Sequence, residues 1–147
     1  MELILWRHAD AEDGAPDLER QLTPKGRGEA ERVAKWLLAQ LPREFEVVAS
    51  PAARAQQTAE ALRRNIRTDK ALAPGASPAA IAKAAGWPDA TSTVVIVGHQ
   101  PDLGRALAQL VAGRAAEWRL QKGALWWLES GDTVLVKAVM SPDLLED

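Results

Sequence analysis

Thr93-Val-Val-Ile-Val-Gly98 leads directly into His99, and this segment indicates the fold more clearly than any other part of the chain. A short run of apolar, mostly β-branched residues is typical of a strand buried on both faces of a sheet. Gln100-Pro101-Asp102 then opens a helix, because proline suits the first turn of a helix. A buried strand that passes straight into a helix is the unit from which parallel α/β sheets are built.

The same alternation of strand and helix extends toward both ends of the chain. On the N-terminal side, the pattern predicts a strand at Glu2–Trp6, a loop at Asp10–Gln21, a helix that begins at Thr23-Pro24 and ends before Pro42, a strand at Glu46–Ala49 and a helix at Ala52–Ile66. A short strand or extended piece within Asp69–Trp87 and a helix at Pro78–Ala85 follow. On the C-terminal side, the pattern predicts a hairpin of Ala124–Glu129 with Thr133–Met140. We therefore expect an α/β fold, a single-domain three-layer α/β/α sandwich with a mainly parallel mixed sheet and a C-terminal antiparallel hairpin.

The composition fits one globular domain over residues 1–147. Lys and Arg number 18 against 20 Asp and Glu, so the formal net charge is −2, and 47% of the residues are hydrophobic. The near-neutral charge argues against a nucleic-acid binder, because phosphate backbones need an excess of basic side chains. The sequence has no cysteine, which excludes disulfides, thiolate zinc sites and a cysteine nucleophile.

Targeting and membrane segments are not evident in the sequence. The apolar run near the N-terminus is too short for a signal peptide, and no stretch approaches the ~20 apolar residues of a membrane helix. We expect a cytoplasmic, soluble protein that contacts neither membrane nor nucleic acid and is a monomer.

The two histidines of the chain each follow a predicted strand directly. Arg7 and His8 follow the first strand, His99 ends the segment quoted above, and Arg54 lies one turn into the helix after the second strand. Because the carboxyl ends of parallel strands lie along one edge of a sheet, we expect these four side chains to converge.

Two imidazoles and two guanidiniums without an acidic partner describe an anion site. Guanidinium groups match phosphate oxygens bidentately, a neutral imidazole can attack phosphorus, and a second imidazole can donate a hydrogen bond to the phosphoryl oxygens. Because two arginines would repel a cation, we expect neither a metal nor another cofactor.

Each of these features has an ordinary structural explanation when it stands alone. A single histidine after a strand is usually a core or rim residue, Arg54 could be a solvated helix residue, and Ser50-Pro51 could be only a helix start. Gly26-Arg27-Gly28 lacks the pattern of a phosphate-binding loop. The joint placement of both histidines and both arginines is what favours a functional site.

The segment Leu5-Trp6-Arg7-His8-Ala9-Asp10-Ala11 resembles the Arg-His-Gly signature of the histidine phosphatase (phosphoglycerate-mutase-like) superfamily, with Ala9 in place of glycine. Further segments follow in the order of that family: Arg20–Gly26, Ser50–Ala59, Val97–Pro101 and Met140–Pro142. The short layout without an inserted lid and the closing Met-Ser-Pro resemble its SixA-type phosphohistidine phosphatase branch. The resemblance runs nearly from end to end.

The resemblance implies the roles of individual residues. It makes His8 the nucleophile that is transiently phosphorylated, and it makes Arg7, Arg54 and His99 the residues that hold the phosphate. Arg20 matches a position beside the pocket.

The chain departs from many relatives in its proton donor. They use a glutamate after the middle strand or an aspartate after the second histidine, whereas Gln100 follows His99 here and no acid within Asp69–Trp87 is an obvious match. Asp10 and Glu12 are near His8 in sequence. Alcohol leaving groups need a proton when a P–O bond breaks, but a phosphorylated imidazole can take a proton from water on its far nitrogen. The missing acid therefore favours P–N cleavage.

We therefore expect a phosphohistidine phosphatase that acts on a phosphotransfer domain or phosphocarrier protein, as the resemblance implies. The predicted rim residues for such a partner are Trp6, Arg20 and Arg105. Two alternatives stay open: a phosphomonoesterase that acts on a small metabolite, and a non-catalytic phosphate-binding module with the same fold.

Overall fold

Six strands form one mixed sheet that lies between two layers of helices in the computed structural model, which describes residues 1–146. The strands are β1 (Glu2–Arg7), β2 (Phe45–Ala49), β3 (Ile66–Thr68), β4 (Thr93–Gly98), β5 (Leu125–Glu129) and β6 (Leu135–Met140). The helices are α1 (Pro24–Gln40), α2 (Ala53–Glu60), α3 (Pro78–Ala85) and α4 (Asp102–Leu107), and a π-helical turn, Ala108–Ala112, follows α4. The predicted α/β sandwich is confirmed.

The strand order places the predicted site residues side by side. The strand order in the sheet is β3-β2-β4-β1-β5-β6. The first four strands of this order are parallel to one another, β5 is antiparallel to β1, and β6 is antiparallel to β5. β1 and β4 are central and adjacent, and Arg7 pairs with Gly98. The backbone amide of His8 donates to the carbonyl of Gly98 at 3.0 Å, and that of Ser50 donates to the carbonyl of Val97 at 3.1 Å. The ends of β1, β2 and β4 therefore meet at one edge of the sheet.

The core explains why these segments are strands. Alternate residues of the central strands point to opposite faces, and both faces are covered. One face packs against α3 and α4 through residues such as Leu3, Ile96 and Leu107. The other face packs against α1 and α2 through residues such as Ile4 and Leu37.

The first helix begins as the sequence predicts. The Thr23 side chain accepts a hydrogen bond from the amide of Gly26 at 2.9 Å, and Pro24 occupies the first helical position. This cap satisfies one of the amides that every helix leaves unpaired at its start.

The prediction of one long helix over Ala52–Ile66 is wrong. The helix ends at Glu60, and Ile66–Thr68 forms the edge strand β3, which pairs with Val47–Ala49 of β2. Helix propensity is a weak preference, and tertiary contacts override it here because Ile66 pairs with Val47 of β2. Arg63, with φ at 54°, turns the chain back toward the sheet between the two elements.

The end of the chain follows the prediction with shorter bounds. β5 and β6 form the predicted antiparallel hairpin, with a shift of register between Trp127 and Leu128. Throughout residues 1–146, every helix is too short or too polar to cross a membrane.

Candidate active site

The ends of β1, β2 and β4 border a cavity of about 380 Å³. The five residues that the sequence predicts for the site all line it: Arg7, His8, Arg20, Arg54 and His99. The two imidazole rings lie with their centroids 5.3 Å apart. Three of these side chains are deeply buried, with His8 8%, Arg54 4% and His99 4% exposed.

The His8 ring is oriented by the carbonyl of the next residue. Its Nδ1 lies 2.7 Å from the carbonyl oxygen of Ala9. Because a carbonyl oxygen can only accept, Nδ1 carries the proton and Nε2 keeps its lone pair. The amide of Ala9 is held in turn by the Thr58 hydroxyl at 3.1 Å. The ring is therefore fixed in the tautomer in which Nε2 can act as a nucleophile.

The electrostatics keep His8 uncharged. Burial lowers the pKa of His8 from 6.5 to about 4, and the positive charges of Arg54 and Arg7 act in the same direction. An imidazole that is neutral at pH 7 is a nucleophile, whereas an imidazolium is not.

Ser50 orients the second histidine. The Ser50 hydroxyl, which is fully buried, lies 2.7 Å from Nε2 of His99 and also accepts from the amide of Ala52 at 3.1 Å. Its one hydrogen has no other acceptor among the contacts of the described residues, so it is donated to Nε2. His99 then carries its own proton on Nδ1. Burial, followed by the neighbouring His8 and Arg54, lowers the pKa of His99 to about 3, so the ring is a neutral donor.

Three buried nitrogens lack hydrogen-bond partners within the described part of the chain: Arg7 Nε, Arg54 Nε and His99 Nδ1. All three belong to residues that line the cavity. A buried donor without a partner costs about 1–3 kcal/mol, so such groups are normally paired. An anion with several oxygens, bound between them, would supply the missing acceptors.

Backbone and carboxylate contacts hold the two arginines in place. One terminal nitrogen of Arg7 donates to the carbonyl of Leu120 at 2.7 Å. Arg54 donates to the backbone carbonyl of Asp17 at 2.8 Å and to its carboxylate at 3.2 Å. Arg20 donates to the same carboxylate at 3.1 Å and to the carbonyl of Glu12 at 2.9 Å.

Asp17 is therefore shared by two cations of the site. Partial burial raises the pKa of Asp17, but the bonds from Arg54 and Arg20 outweigh this effect and lower it overall. The carboxylate stays charged and positions both guanidiniums.

The carboxylates near the site differ in what they can do. Asp10 and Glu12 do not line the cavity, and the Asp10 carboxylate is bonded to Lys122 at 2.8 Å and to the Thr23 hydroxyl at 2.7 Å. Asp102 lines the cavity but accepts from the amides of Gly75 and Ala76. Asp13 lines the cavity and is exposed. Among residues 1–146, no group of three or more histidine, aspartate or glutamate side chains is placed to hold a metal ion.

Of the three residues predicted for the rim, two are at the cavity, and the placement of Trp6 there is wrong. Arg20 and Arg105 line the cavity. Trp6 is fully buried, because it lies on the central strand β1 and faces the layer of α1 and α2, and its indole nitrogen donates to the carbonyl of Gly123 at 2.9 Å.

Sequence reasoning misses the residues that orient the site. It expects the segment Ser50-Pro51-x-x-Arg54 at the site but gives the Ser50 side chain no role beyond a helix start, and it treats Asp17 only as part of a polar loop. It singles out Gln100 for the acid that it replaces, yet the Gln100 side chain bridges the carbonyl of Trp118 and the amide of Gly104. The available signal for Ser50 is its place directly after a strand, beside the residues that the strand ends bring together.

The chain is similar to histidine phosphatases in its sequence. The model of the histidine phosphatase superfamily (branch 1) matches residues 3–75. The chain is 39% identical to an uncharacterized protein of Picosynechococcus over 145 residues, which is 89% of this chain and 86% of that protein. It is 30% identical to the phosphohistidine phosphatase SixA of Escherichia coli over 122 residues, 77% of this chain and 76% of that protein.

Solved structures extend the likeness to the whole chain. The protein histidine phosphatase SixA complexed with tungstate has a TM-score of 0.87 and 25% identity, and the match covers 99% of this chain and 100% of that one. A phosphoserine phosphatase of Entamoeba histolytica has a TM-score of 0.73 at 16% identity, with 99% of each chain covered. The second likeness is one of fold alone.

Proposed function

Because the chain belongs to the SixA-type branch of the histidine phosphatase superfamily, we propose that it hydrolyses phosphohistidine on another protein through a covalent phospho-His8 intermediate. One observation carries the proposal. His8, a neutral histidine whose Nε2 keeps its lone pair, lines the same cavity as Arg7, Arg54 and His99, each of which has a buried nitrogen without an acceptor.

Substrate binding uses those nitrogens. The phosphoryl oxygens accept from Nε of Arg7, Nε of Arg54 and Nδ1 of His99, and the two guanidiniums balance the charge of the dianion. The similar SixA protein of known structure is complexed with tungstate, a tetrahedral oxyanion, which supports an anion site of this kind.

The first chemical step transfers the phosphoryl group. Nε2 of His8 attacks phosphorus as the P–N bond to the substrate histidine breaks, and the leaving imidazole takes a proton from water on its far nitrogen. The negative charge on the phosphoryl oxygens is stabilised by donors that are already in place, so little reorganisation is needed.

The second step hydrolyses the intermediate. Water attacks phosphorus, the bond to His8 Nε2 breaks, and inorganic phosphate leaves. Nδ1 of His8 keeps its proton, held by the Ala9 carbonyl, so the ring returns to the tautomer in which it began. Every step uses side chains of this protein and water, and the proposal includes no metal.

The carboxylates support P–N cleavage over P–O cleavage. Among those near the cavity, Asp17 and Asp102 accept hydrogen bonds from the protein and Asp10 is paired with Lys122. A charged carboxylate that accepts hydrogen bonds does not donate the proton that an alcohol leaving group needs. A phosphoimidazole substrate does not require that donor.

A second candidate function is the hydrolysis of small phosphate esters. The observation that favours it is Asp13, whose exposed carboxylate lines the cavity and could serve as the acid. If it does, Asp13→Asn should lower the hydrolysis of esters and leave the hydrolysis of phosphohistidine unchanged.

A direct competition tests the proposal. A carrier protein phosphorylated on histidine is mixed with a panel of sugar and glycerate phosphates, and kcat/KM is measured for each substrate. We expect the highest value for the phosphoprotein. A higher value for any metabolite ester would replace the proposal with the second candidate.

A further inference from the structure

A second cavity lies beside the active site and shares residues with it. Its volume is about 660 Å³, and Arg7, Gln100 and Lys122 line both cavities. The second cavity adds Lys25 from the start of α1 and Arg119 from the segment before β5. We call Lys25, Arg119 and Lys122 the basic rim; all three side chains are exposed.

Charge is distributed unevenly over the molecule. Seven Lys and Arg residues and four carboxylates line the two cavities together, whereas the whole chain has a formal charge of −2. The positive charge is thus concentrated where a substrate enters.

Two members of the basic rim, Arg119 and Lys122, lie on a segment that is bonded to residues of the site. The segment 114–123 has no regular secondary structure, but Arg7 donates to the carbonyl of Leu120 and Gln100 donates to that of Trp118. The amide of Gly123 donates to the carbonyl of His8 at 3.1 Å. The segment also approaches α4 closely, because a Cβ on Gly104 would lie 1.7 Å from the Trp118 carbonyl oxygen. Arg119 and Lys122 are therefore presented at a fixed position beside the nucleophile.

Two of the three cations have no ion-pair partner in the described part of the chain. Lys122 is bonded to Asp10 at 2.8 Å, but neither Arg119 nor Lys25 has a carboxylate within salt-bridge distance. Glu29 and Asp143, which line the same cavity, accept hydrogen bonds from the Asp10 amide and the Ser141 hydroxyl. Burial and the nearby charge of Arg119 both lower the pKa of Arg7. An excess of positive charge, with two of the three cations outside any ion pair, favours a negatively charged ligand.

We propose that the basic rim docks an acidic face of the protein that carries the phosphohistidine, an inference that rests on the proposed function above. The depth of the site supports a protein as the occupant. With His8 only 8% exposed, a phosphohistidine side chain that reaches Nε2 brings the backbone of its own protein onto the rim. Carboxylates beside that histidine then meet Lys25 and Arg119.

The energetic role of such a surface is steering and orientation. Charges at the rim of an interface mainly raise the association rate, and the effect weakens as salt screens them. Exposed charge pairs are individually weak, so the loss of two cations should lower kcat/KM on an acidic partner by roughly 2- to 30-fold.

Synthetic phosphohistidine peptides test the inference with the charge of the partner as the variable. Three peptides of one length carry acidic, neutral or basic residues on both sides of the same phosphohistidine, and free phosphohistidine is the substrate without flanks. For the wild type we expect kcat/KM to be highest with acidic flanks and lowest with basic ones. In Lys25→Gln/Arg119→Gln the three peptides should have similar kcat/KM values, and kcat/KM for the acidic peptide should depend less steeply on salt concentration.

A control variant separates the loss of the basic rim from a change in the net charge of the protein. Arg43→Gln removes an exposed cation just before β2, at the end of the sheet opposite the site, and should leave the order intact. Equal kcat/KM for the three peptides in the wild type, or an unchanged order in the double variant, would overturn the docking inference.

The same experiment distinguishes the two proposals. Hydrolysis of free phosphohistidine and of all three peptides at one rate leaves the proposed function standing and rejects the docking surface. If the folded protein hydrolyses neither free phosphohistidine nor any of the three peptides, the proposed function fails and the docking inference fails with it.

Discussion

Ser50→Ala is the substitution that most sharply separates chemistry from folding in this site. The Ser50 hydroxyl donates to Nε2 of His99 at 2.7 Å and so places the His99 proton on Nδ1, the nitrogen without a partner. Without the hydroxyl, nothing holds the ring in that tautomer. When Nδ1 is unprotonated, it repels the phosphoryl oxygens instead of donating to them.

The magnitude follows from the burial of the pair. Both side chains are almost inaccessible to water, with Ser50 0% and His99 4% exposed, so water cannot replace the lost hydrogen bond. A buried group left without its partner costs about 1–3 kcal/mol, which corresponds to a roughly 5- to 150-fold loss of kcat/KM. Most of the loss should appear in kcat, because the charge that His99 stabilises is greatest in the transition state.

The assay combines kinetics with ¹⁵N NMR of the imidazole rings. The chain has only two histidines, so spectra of His8→Gln assign both rings at once. In the wild type we expect both rings to be protonated on Nδ1. In Ser50→Ala the His99 signals should shift toward the other tautomer, while those of His8 stay in place.

Ser77→Ala is the matched control for folding. Both serines accept from a backbone amide at 3.1 Å near the start of a helix, but only Ser50 is also bonded to His99 in the described part of the chain. It should lose stability without losing kcat. If Ser50→Ala keeps the wild-type kcat/KM, or if His99 is protonated on Nε2 in the wild type, the reasoning is refuted.

Three further outcomes follow from the geometry and charge of the site. The free energy of unfolding should fall as pH drops from about 6.5 to about 4, because the unfolded histidines take up protons that buried His8 and His99 do not. Each histidine contributes about 1.4 kcal/mol per unit by which its pKa is lowered. Thermal denaturation should show a shallower fall in His8→Gln than in the wild type, and equal slopes of stability against pH in the two proteins would contradict this. Arg54→Lys keeps the charge but loses the contacts with Asp17 and the planar fork, so kcat/KM should drop roughly 10- to 150-fold; the wild-type value would mean that Arg54 does not touch the phosphate. Dialysis against EDTA should leave the rate unchanged, and a rate lost with chelator and restored by Mg²⁺ or Zn²⁺ would reject the metal-free mechanism.

The sequence predicts the residues that meet at the sheet edge because their positions follow from strand order. His8 and His99 each follow a buried strand, and parallel neighbours bring such residues together wherever the strands are adjacent. Arg54 comes with them because α2 begins beside the end of β2. Periodicity and strand boundaries suffice for this part of the site.

The residues that orient the site could not be predicted in the same way. Arg7 bonds to a carbonyl that is 113 positions away, and Arg54 bonds to Asp17 across 37 positions. Such contacts depend on where irregular segments lie in the folded chain, and no local pattern encodes that. The long helix predicted after β2 is wrong for a related reason, since the pairing of Ile66–Thr68 with β2 outweighs local helix propensity.

The covalent intermediate is the central claim, and rapid quenching tests it most directly. Protein mixed with a phosphohistidine carrier is stopped in alkali during turnover, digested and examined by mass spectrometry, with His8→Gln as the control. We predict a phosphate that is stable in alkali and labile in acid, on the peptide that contains His8, together with a loss of about a thousandfold or more in kcat for His8→Gln. Turnover without a labelled protein, or a label on His99 instead of His8, would contradict the account.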